Sequence, residues 1–327
     1  MKFLITGGLG FIGSNFIEKL FEMYPDSSVQ NIDAELFGSN KKNLKHLEKL
    51  KNYSFVKGNI ANFKLMKKLI TNSDIIVNFA AESFVDRSIS NSRPFLDSNV
   101  IGVHNILEIL KKEKKKMIHV STDEVFGSLE SGSAHEQYRF NPSSPYSSTK
   151  AAAELFITSY NKTYDLDCII TRCTNNYGPK QFPEKLIPKV ILLAQKNQKI
   201  PVYGSGKNIR DWIYVDDHCN AILKVIKHGT KGESYNISAN NEMDNISIIK
   251  KILKIMDKSE ELIEFVEDRP GHDWRYSLDS TKIRNALDWK EDVNFEKGIE
   301  KTVKWYLDNN DWWGNLNSVL SKKPWKM

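Results

Sequence analysis

The apolar positions of the first half of the chain alternate between two periods. Short apolar runs at residues 2–6, 29–33, 53–56, 75–79, 117–120 and 167–172 have the length of buried strands. Between them, apolar residues recur at helical spacing: Phe16, Ile17, Leu20 and Phe21, then residues 63–70, then 95–110, then the segment that Pro145 opens. This alternation predicts an α/β fold built on a doubly wound parallel sheet. Beyond Arg172 the regularity weakens. Residues 181–188 begin a smaller, mixed α/β C-terminal lobe, 202–206 read as a turn between short strands, and 210–217 return the chain to the first lobe. The division expected is a first domain of residues 1–176 with about 211–236, and a second of 177–210 with about 237–327. Trp305, Trp312, Trp313 and Trp325 are expected in helix packing over the second lobe.

Composition removes several function classes. The 327 residues carry a formal charge of +6, but lysine is scattered among asparagine and isoleucine, unlike a basic face built for nucleic acid. The dense run from Lys111 to Lys116 falls where a helix should end, a position that favours positive charge. No stretch approaches the ~20 apolar residues needed to span a bilayer, and the apolar opening breaks at once into glycines. Cys168, Cys173 and Cys219 lack metal-ligand spacing and read as core residues of a reducing compartment. A cytoplasmic protein is expected, with neither nucleic-acid nor membrane partner and no metal.

The first strand ends in Gly7-Gly8-Leu9-Gly10-Phe11-Ile12-Gly13. Glycines at this spacing let a backbone turn tightly and approach a pyrophosphate, whose charge then sits on the following helix N-terminus. The second strand ends in Asp33, twenty residues on, where a carboxylate holds the hydroxyls of an adenosine ribose. Asp33 would repel a 2′-phosphate, so NAD rather than NADP is expected in a Rossmann-type domain. Asn59 and Ile60 could lie against the adenine, and the small residues Ala80, Ala81 and Ser83 at a strand end leave room for a cofactor.

Residues 121–150 concentrate the chemistry. Asp123 and Glu124 follow the strand at 117–120, where ligands meet an open parallel sheet. Tyr146 and Lys150 stand four apart on a helix and share a face. A cation beside the phenol is expected to lower its pKa toward that of a useful base. Further on, Asn175 and Asn176 suit a sugar hydroxyl or a cofactor amide, with turn chemistry as the plain alternative. Arg210, next to Trp212, suits a diphosphate clamp or a buried ion pair. Residues 268–276 gather Arg269, His272 and Arg275 around a Pro-Gly turn, which suggests an anion pocket.

With these pieces in order, the chain resembles the extended short-chain dehydrogenase/reductases, and within them the dTDP-glucose 4,6-dehydratases. The more specific motifs are residues 80–89, 121–127, 175–179 with 182–188, Arg210-Asp211-Trp212 and 268–273. The resemblance implies a lyase of deoxysugar biosynthesis that oxidises C4 of the hexose, eliminates water across C5 and C6, and returns hydride to C6. It implies Tyr146 as the base at O4, Thr122 as a hydrogen-bond donor to that oxygen, and Lys150 on the nicotinamide ribose. Glu124 would take the C5 proton and Asp123 protonate the departing hydroxyl. The implied cofactor set adds Asn99, Ser121 and Asn176 to the residues above. The implied substrate set is Ser83, Thr122, Asn175, Glu184, Lys185, Leu186, Pro201, Tyr203, Arg210, Asn245, Arg269 and His272. A homodimer through a four-helix bundle is also implied. Three positions depart from the family pattern: Phe84 for histidine, Asn59 for aspartate and Phe126 for tyrosine. Alternatives are a UDP- or CDP-glucose dehydratase, an epimerase, which Asp123 and Glu124 argue against, and an idle NAD-binding regulator.

Overall fold

A computed structural model describes residues 1–314 and 316–320. The apolar runs form strands β1 Lys2–Thr6, β2 Ser28–Asp33, β3 Tyr53–Lys57, β4 Ile75–Asn78, β5 Lys116–Thr122 and β6 Cys168–Cys173. Six more follow: β7 Asn175–Tyr177, β8 Ile200–Tyr203, β9 Ile209–Tyr214, β10 Ser234–Ile237, β11 Glu242–Asp244 and β12 Ile263–Val266. Seven of them make one parallel sheet in the order β10-β6-β5-β4-β1-β2-β3. A three-stranded sheet β11-β9-β7 and the pair β12-β8 belong to the smaller lobe.

Helices cover both faces of the large sheet, whose central strands are buried almost throughout, and others build the smaller lobe. In chain order they are α1 Phe11–Met23, α2 Phe63–Thr71, α3 Val85–Ser90, α4 Arg93–Phe95, α5 Val103–Glu113, α6 Pro145–Tyr164, α7 Leu186–Gln195, α8 Val215–His228, α9 Asn245–Ile255, α10 Thr281–Leu287 and α11 Phe295–Asp308. One face packs α1 and α8 through Phe16, Ile17, Leu20, Cys219 and Ile222; the other packs α2, α5 and α6 through Met66, Leu107 and Ile157. A separate core joins α7, α9 and α11 around Ile191, Ile252 and Tyr306. After β9 the chain returns through α8 to add β10 to the edge of the large sheet.

Three details differ from the sequence reading. Strand β5 runs on through Ser121 and Thr122, polar residues that stay buried because they pair with Arg172 and Cys173 of β6. The single helix expected over 95–110 is interrupted by a π-helical turn, Leu96–Gly102, which carries the buried Asn99. Trp305 and Trp313 do pack on the second core. Trp312 instead crosses to the first lobe, where its Nε1–H donates to Asn43 Oδ1 at 2.8 Å and its carbonyl accepts from Asn40 Nδ2 at 3.0 Å. An indole N–H needs an acceptor, and the helical turn Lys41–Lys49 supplies one. Trp325 lies outside the described residues.

Candidate active site

Two pockets meet at the carboxyl ends of the large sheet's strands, and Phe84, Glu124, Asn175 and Lys185 line both. The first runs over the glycine turn. Gly7 takes a left-handed φ of +71° with its Cα face on Ala80, where an added Cβ would stand 2.7 Å from the Ala80 Cα. A Cβ on Gly13 would stand 2.5 Å from the Gly7 carbonyl oxygen. Gly8 faces away, its N–H donating to Asn31 Oδ1 at 3.1 Å. No side chain caps α1, so its leading N–H groups border a pocket that only a thin, negatively charged group suits. Asp33 closes the far end, accepting from Leu9 N–H at 3.0 Å and Glu35 N–H at 2.8 Å. Asn59, Ile60, Ala80, Ala81, Ser83, Ser121 and Asn176 complete a trough whose chemistry fits a dinucleotide. Asn99 does not line it. Its amide instead bonds both the N–H and the carbonyl of Glu82, bracing the wall from behind.

The second pocket lies between the lobes and gathers Glu184, Leu186, Pro201, Tyr203, Arg210, Asn245, Arg269 and His272. Among the described residues Arg210 makes no ion pair. Its guanidinium bonds the carbonyls of Ile209, Asp273 and Trp274 and lies over the Tyr276 ring, 4.3 Å from its centre. With no carboxylate taking its charge, it is free to meet an anion. Arg269 pairs with Asp86, while its Nε lacks a partner. His272 Nδ1–H donates to Asp268 Oδ1, 2.7 Å away, and burial with the neighbouring arginines lowers the ring's pKa to about 4, so it is neutral at pH 7.

Between the pockets stand the acid–base groups. Ser144 and Ser147 cap the start of α6 reciprocally, with Pro145 at its first position. This fixes Tyr146 in the first turn and Lys150 one turn on, both buried. The Lys150 amine donates to the Val120 carbonyl at 2.7 Å. Burial lowers its pKa to about 8, against the pull of Glu154. The expectation for Tyr146 is reversed: burial and then the charge of Glu124 raise its phenol well above the ordinary value, more than a hydrogen bond to Thr122 lowers it. The amine donates to the Val120 carbonyl, and the hydrogen bond from Thr122 is what opposes the burial of the phenol.

The adjacent carboxyls differ. Asp123 is 4% exposed, its Oδ1 accepts from Thr122 Oγ1 at 3.0 Å and its Oδ2 has no partner. Burial, then the charge of Glu124, raises its pKa to about 8. Burial raises Glu124 too, but Arg269, Lys185 and Arg210 pull it back. One carboxyl is thus a proton donor at neutral pH, while three cations offset part of the burial that raises its neighbour.

Some wall residues carried no assignment in the sequence reading. Arg87 is bidentate to Glu184, at 2.8 Å for the shortest contact, and stacks 3.4 Å over Phe37. Phe37, Phe84 and Phe182 form an edge-to-face cluster. Arg87 lies inside the motif at 80–89, but nothing in one sequence pairs it with Glu184, 97 residues on. Of the departures, Phe84 joins that cluster under the Lys185 ammonium, and Asn59 turns its carbonyl oxygen to the Ala61 N–H. Phe126 is core, beneath Arg172 and beside Tyr138. Among the described residues no group of three or more potential ligands could hold a metal.

Comparison with known proteins agrees with this geometry. A family model described as GDP-mannose 4,6 dehydratase matches residues 4–302. A dTDP-glucose 4,6-dehydratase of Streptomyces niveus is 42% identical, covering 97% of this chain and 96% of the relative. The low-salt glycan biosynthesis protein Agl12 of Haloferax volcanii is 45% identical over 95% of this chain and all of its own. The solved Bacillus anthracis dTDP-glucose 4,6-dehydratase, in complex with NAD, superposes with a TM-score of 0.90 at 44% identity, covering 96% of this chain and 98% of the other. A UDP-glucuronic acid 4-epimerase from Bacillus cereus shares the fold at 27% identity, with a TM-score of 0.89, over 94% of this chain and 99% of its own. Near-complete coverage at this identity, around a cleft that sets a protonated and a cation-held carboxyl beside a buried tyrosine and lysine, makes the chain a member of the dTDP-glucose 4,6-dehydratase family.

Proposed function

We infer that the protein converts dTDP-glucose to dTDP-4-keto-6-deoxyglucose and water, and that its residues divide the work as follows. Gly7, Gly10 and Gly13 with the start of α1 take the pyrophosphate of NAD, Asp33 the adenosine ribose, and Lys150 the nicotinamide ribose. NAD⁺ bound there supplies the acceptor for hydride from C4 and, once reduced, the donor to C6, so that it is regenerated in each turnover. Tyr146 takes the O4 proton. Its burial opposes ionisation, which positive charge beside it, from Lys150 and from the oxidised ring once NAD⁺ is bound, would favour. Thr122, whose hydroxyl donates to Asp123 in the structure, would turn that hydrogen to O4 when the sugar is bound.

The 4-ketone acidifies the C5 proton, which Glu124 removes. Asp123 gives its proton to the departing C6 hydroxyl, a role that a carboxyl still protonated at neutral pH can fill, and once hydride has reached C6 Glu124 would return its proton to C5. Arg210, Arg269 and Lys185 hold the diphosphate, and Ser83 and Asn175 the hexose. On this reading residues 1–176 with about 211–236 bind the cofactor, and 177–210 with about 237–327 the nucleotide sugar. The observation that carries the reading is the Asp123–Glu124 pair at the junction of the two pockets, beside Tyr146. An epimerase takes hydride from C4 and returns it to C4 without eliminating water, and so has no use for the pair.

Leu96, Ile101, Leu155 and Phe156 are exposed on the helical layer of α6 and the π-helical turn. They support a homodimer through a four-helix bundle. Among the described residues no helix is long and apolar enough to cross a membrane, and three buried free cysteines suit the reducing cytoplasm. The test is incubation with dTDP-, UDP- or CDP-glucose followed by alkali, which develops the chromophore of a 4-keto-6-deoxy sugar. We expect it with dTDP-glucose, with deuterium from C4 recovered on the new methyl carbon. No chromophore from any of the three by NAD-loaded protein would refute the assignment.

A further inference from the structure

A buried histidine on β5 has no part in the chemistry above. His119 is 1% exposed, and its ring stands between Asn78 Nδ2, 2.9 Å from Nδ1, and Lys150 Nζ, 3.3 Å from Nε2. The place of its ring hydrogen follows from Thr6, which is fully buried. Thr6 Oγ1 accepts the Ala80 N–H at 3.2 Å, so its own hydrogen must find another acceptor, and Asn78 Oδ1 is 2.5 Å away. With that carbonyl engaged, Asn78 turns its NH₂ toward the imidazole. Nδ1 then accepts, and a neutral ring carries its one hydrogen on Nε2. Burial and the nearby amine keep the ring neutral.

Lys150 is therefore met unequally. Val120 offers it an acceptor at 2.7 Å, whereas His119 turns a donor toward it. An ammonium has no lone pair with which to answer that donor; the neutral amine has one. The other titratable groups about the amine are Tyr146 and Glu154 on α6, Cys173 on β6, and Asp123 and Glu124 beyond β5. Glu154 is itself bound to Arg172. Glu154 and Cys173 favour the ammonium and burial opposes it, which leaves the imidazole N–H as a directed contact against the charge.

We propose that His119 is a positioning residue for the redox steps: with its tautomer locked by Thr6 and Asn78, it fixes the place of the Lys150 amine and loosens the amine's hold on its proton beside Tyr146. The catalytic part of this rests on the role given to Lys150 above; the tautomer does not. The chain Ala80–Thr6–Asn78–His119–Lys150 also ties the wall of the cofactor trough to the amine.

Two measurements test it. In holoenzyme labelled with ¹⁵N-histidine, the His119 signals, identified by their loss in His119→Gln, should show a protonated Nε2 and a bare Nδ1 throughout pH 6 to 9. Single-turnover NADH formation from dTDP-glucose should then be followed against pH. In His119→Gln the amide oxygen can turn to the ammonium, so the alkaline limb should move up by about one unit, roughly a tenfold change in proton activity. A purely structural role would lower the rate at every pH and leave the limb where it was. Protonation at Nδ1, or a limb that does not move, overturns the proposal. The spectra need no substrate, so they decide the tautomer even if dTDP-glucose is not turned over.

Discussion

The carboxyl pair at the end of β5 and the tyrosine–lysine pair on α6 share one cleft, and burial pushes all four groups toward their neutral forms. What separates them is the source of compensation. Glu124 receives it from the second lobe, through Arg269, Lys185 and Arg210, while Asp123, one residue away, keeps its proton. Tyr146 has only a hydrogen bond to Thr122 to set against its burial and the charge of Glu124, and depends on charge brought with the cofactor. In the first pair fixed cations thus offset part of the burial of Glu124, while the structure gives Tyr146 no comparable cation. On the roles proposed above, elimination would draw on groups the protein alone sets, and oxidation on protein and NAD together.

The largest break in this comparison should come from Tyr146→Phe, which removes the proton acceptor on which the cycle starts. NADH formation from dTDP-glucose, read at 340 nm, should fall by about 10³–10⁴. Glu124→Gln should disable only the preset half: substrate still generates bound NADH, while keto-product release falls by about 10²–10³. If that variant turns over normally, Glu124 is not the C5 base.

Asp123→Asn should slow dehydration by about 10² and also change the pH response. Folded protein holds the Asp123 proton to about pH 8, whereas the ordinary value is 3.8, so the folded state binds the extra proton across that window. Its contribution favours folding at low pH and is lost as pH rises toward 8. Relative to wild type, Asp123→Asn should therefore melt progressively higher between pH 4 and 8, and wild-type dehydration should decline as pH passes 8. The smallest effect is expected from Arg210→Gln, which removes a cation from Glu124 and from the anion pocket together. KM for dTDP-glucose should rise roughly tenfold, the lower range for losing a charged hydrogen bond, with kcat changed less.

Much of this was legible in sequence because it is local. The glycine turn, Asp33 and the strand ends carrying Asp123 and Asn175 follow from period and spacing. The capped helix likewise places Tyr146 and Lys150 on one face. The reversed direction for Tyr146 was not legible, since burial depends on how Phe95 and Val85 pack over its ring. Arg87 with Glu184, and Trp312 with Asn43, join residues far apart in the chain and leave no periodic trace. The π-helical turn escaped as well. One extra residue in a turn barely disturbs an apolar stripe, yet it directs Asn99 to the loop at Glu82.

The seventh strand has a consequence for how the molecule can be cut. β10, supplied from Ser234–Ile237, lies beside β6 only after the chain has visited the smaller lobe and come back. A fragment stopped at Tyr177 would leave the hydrogen-bonding edge of β6 bare and would lack α8, whose Cys219 and Ile222 cover one face of the sheet. Such an open edge invites pairing with another chain, so that half should aggregate when expressed alone. Added in trans, residues 178–320 should restore its solubility.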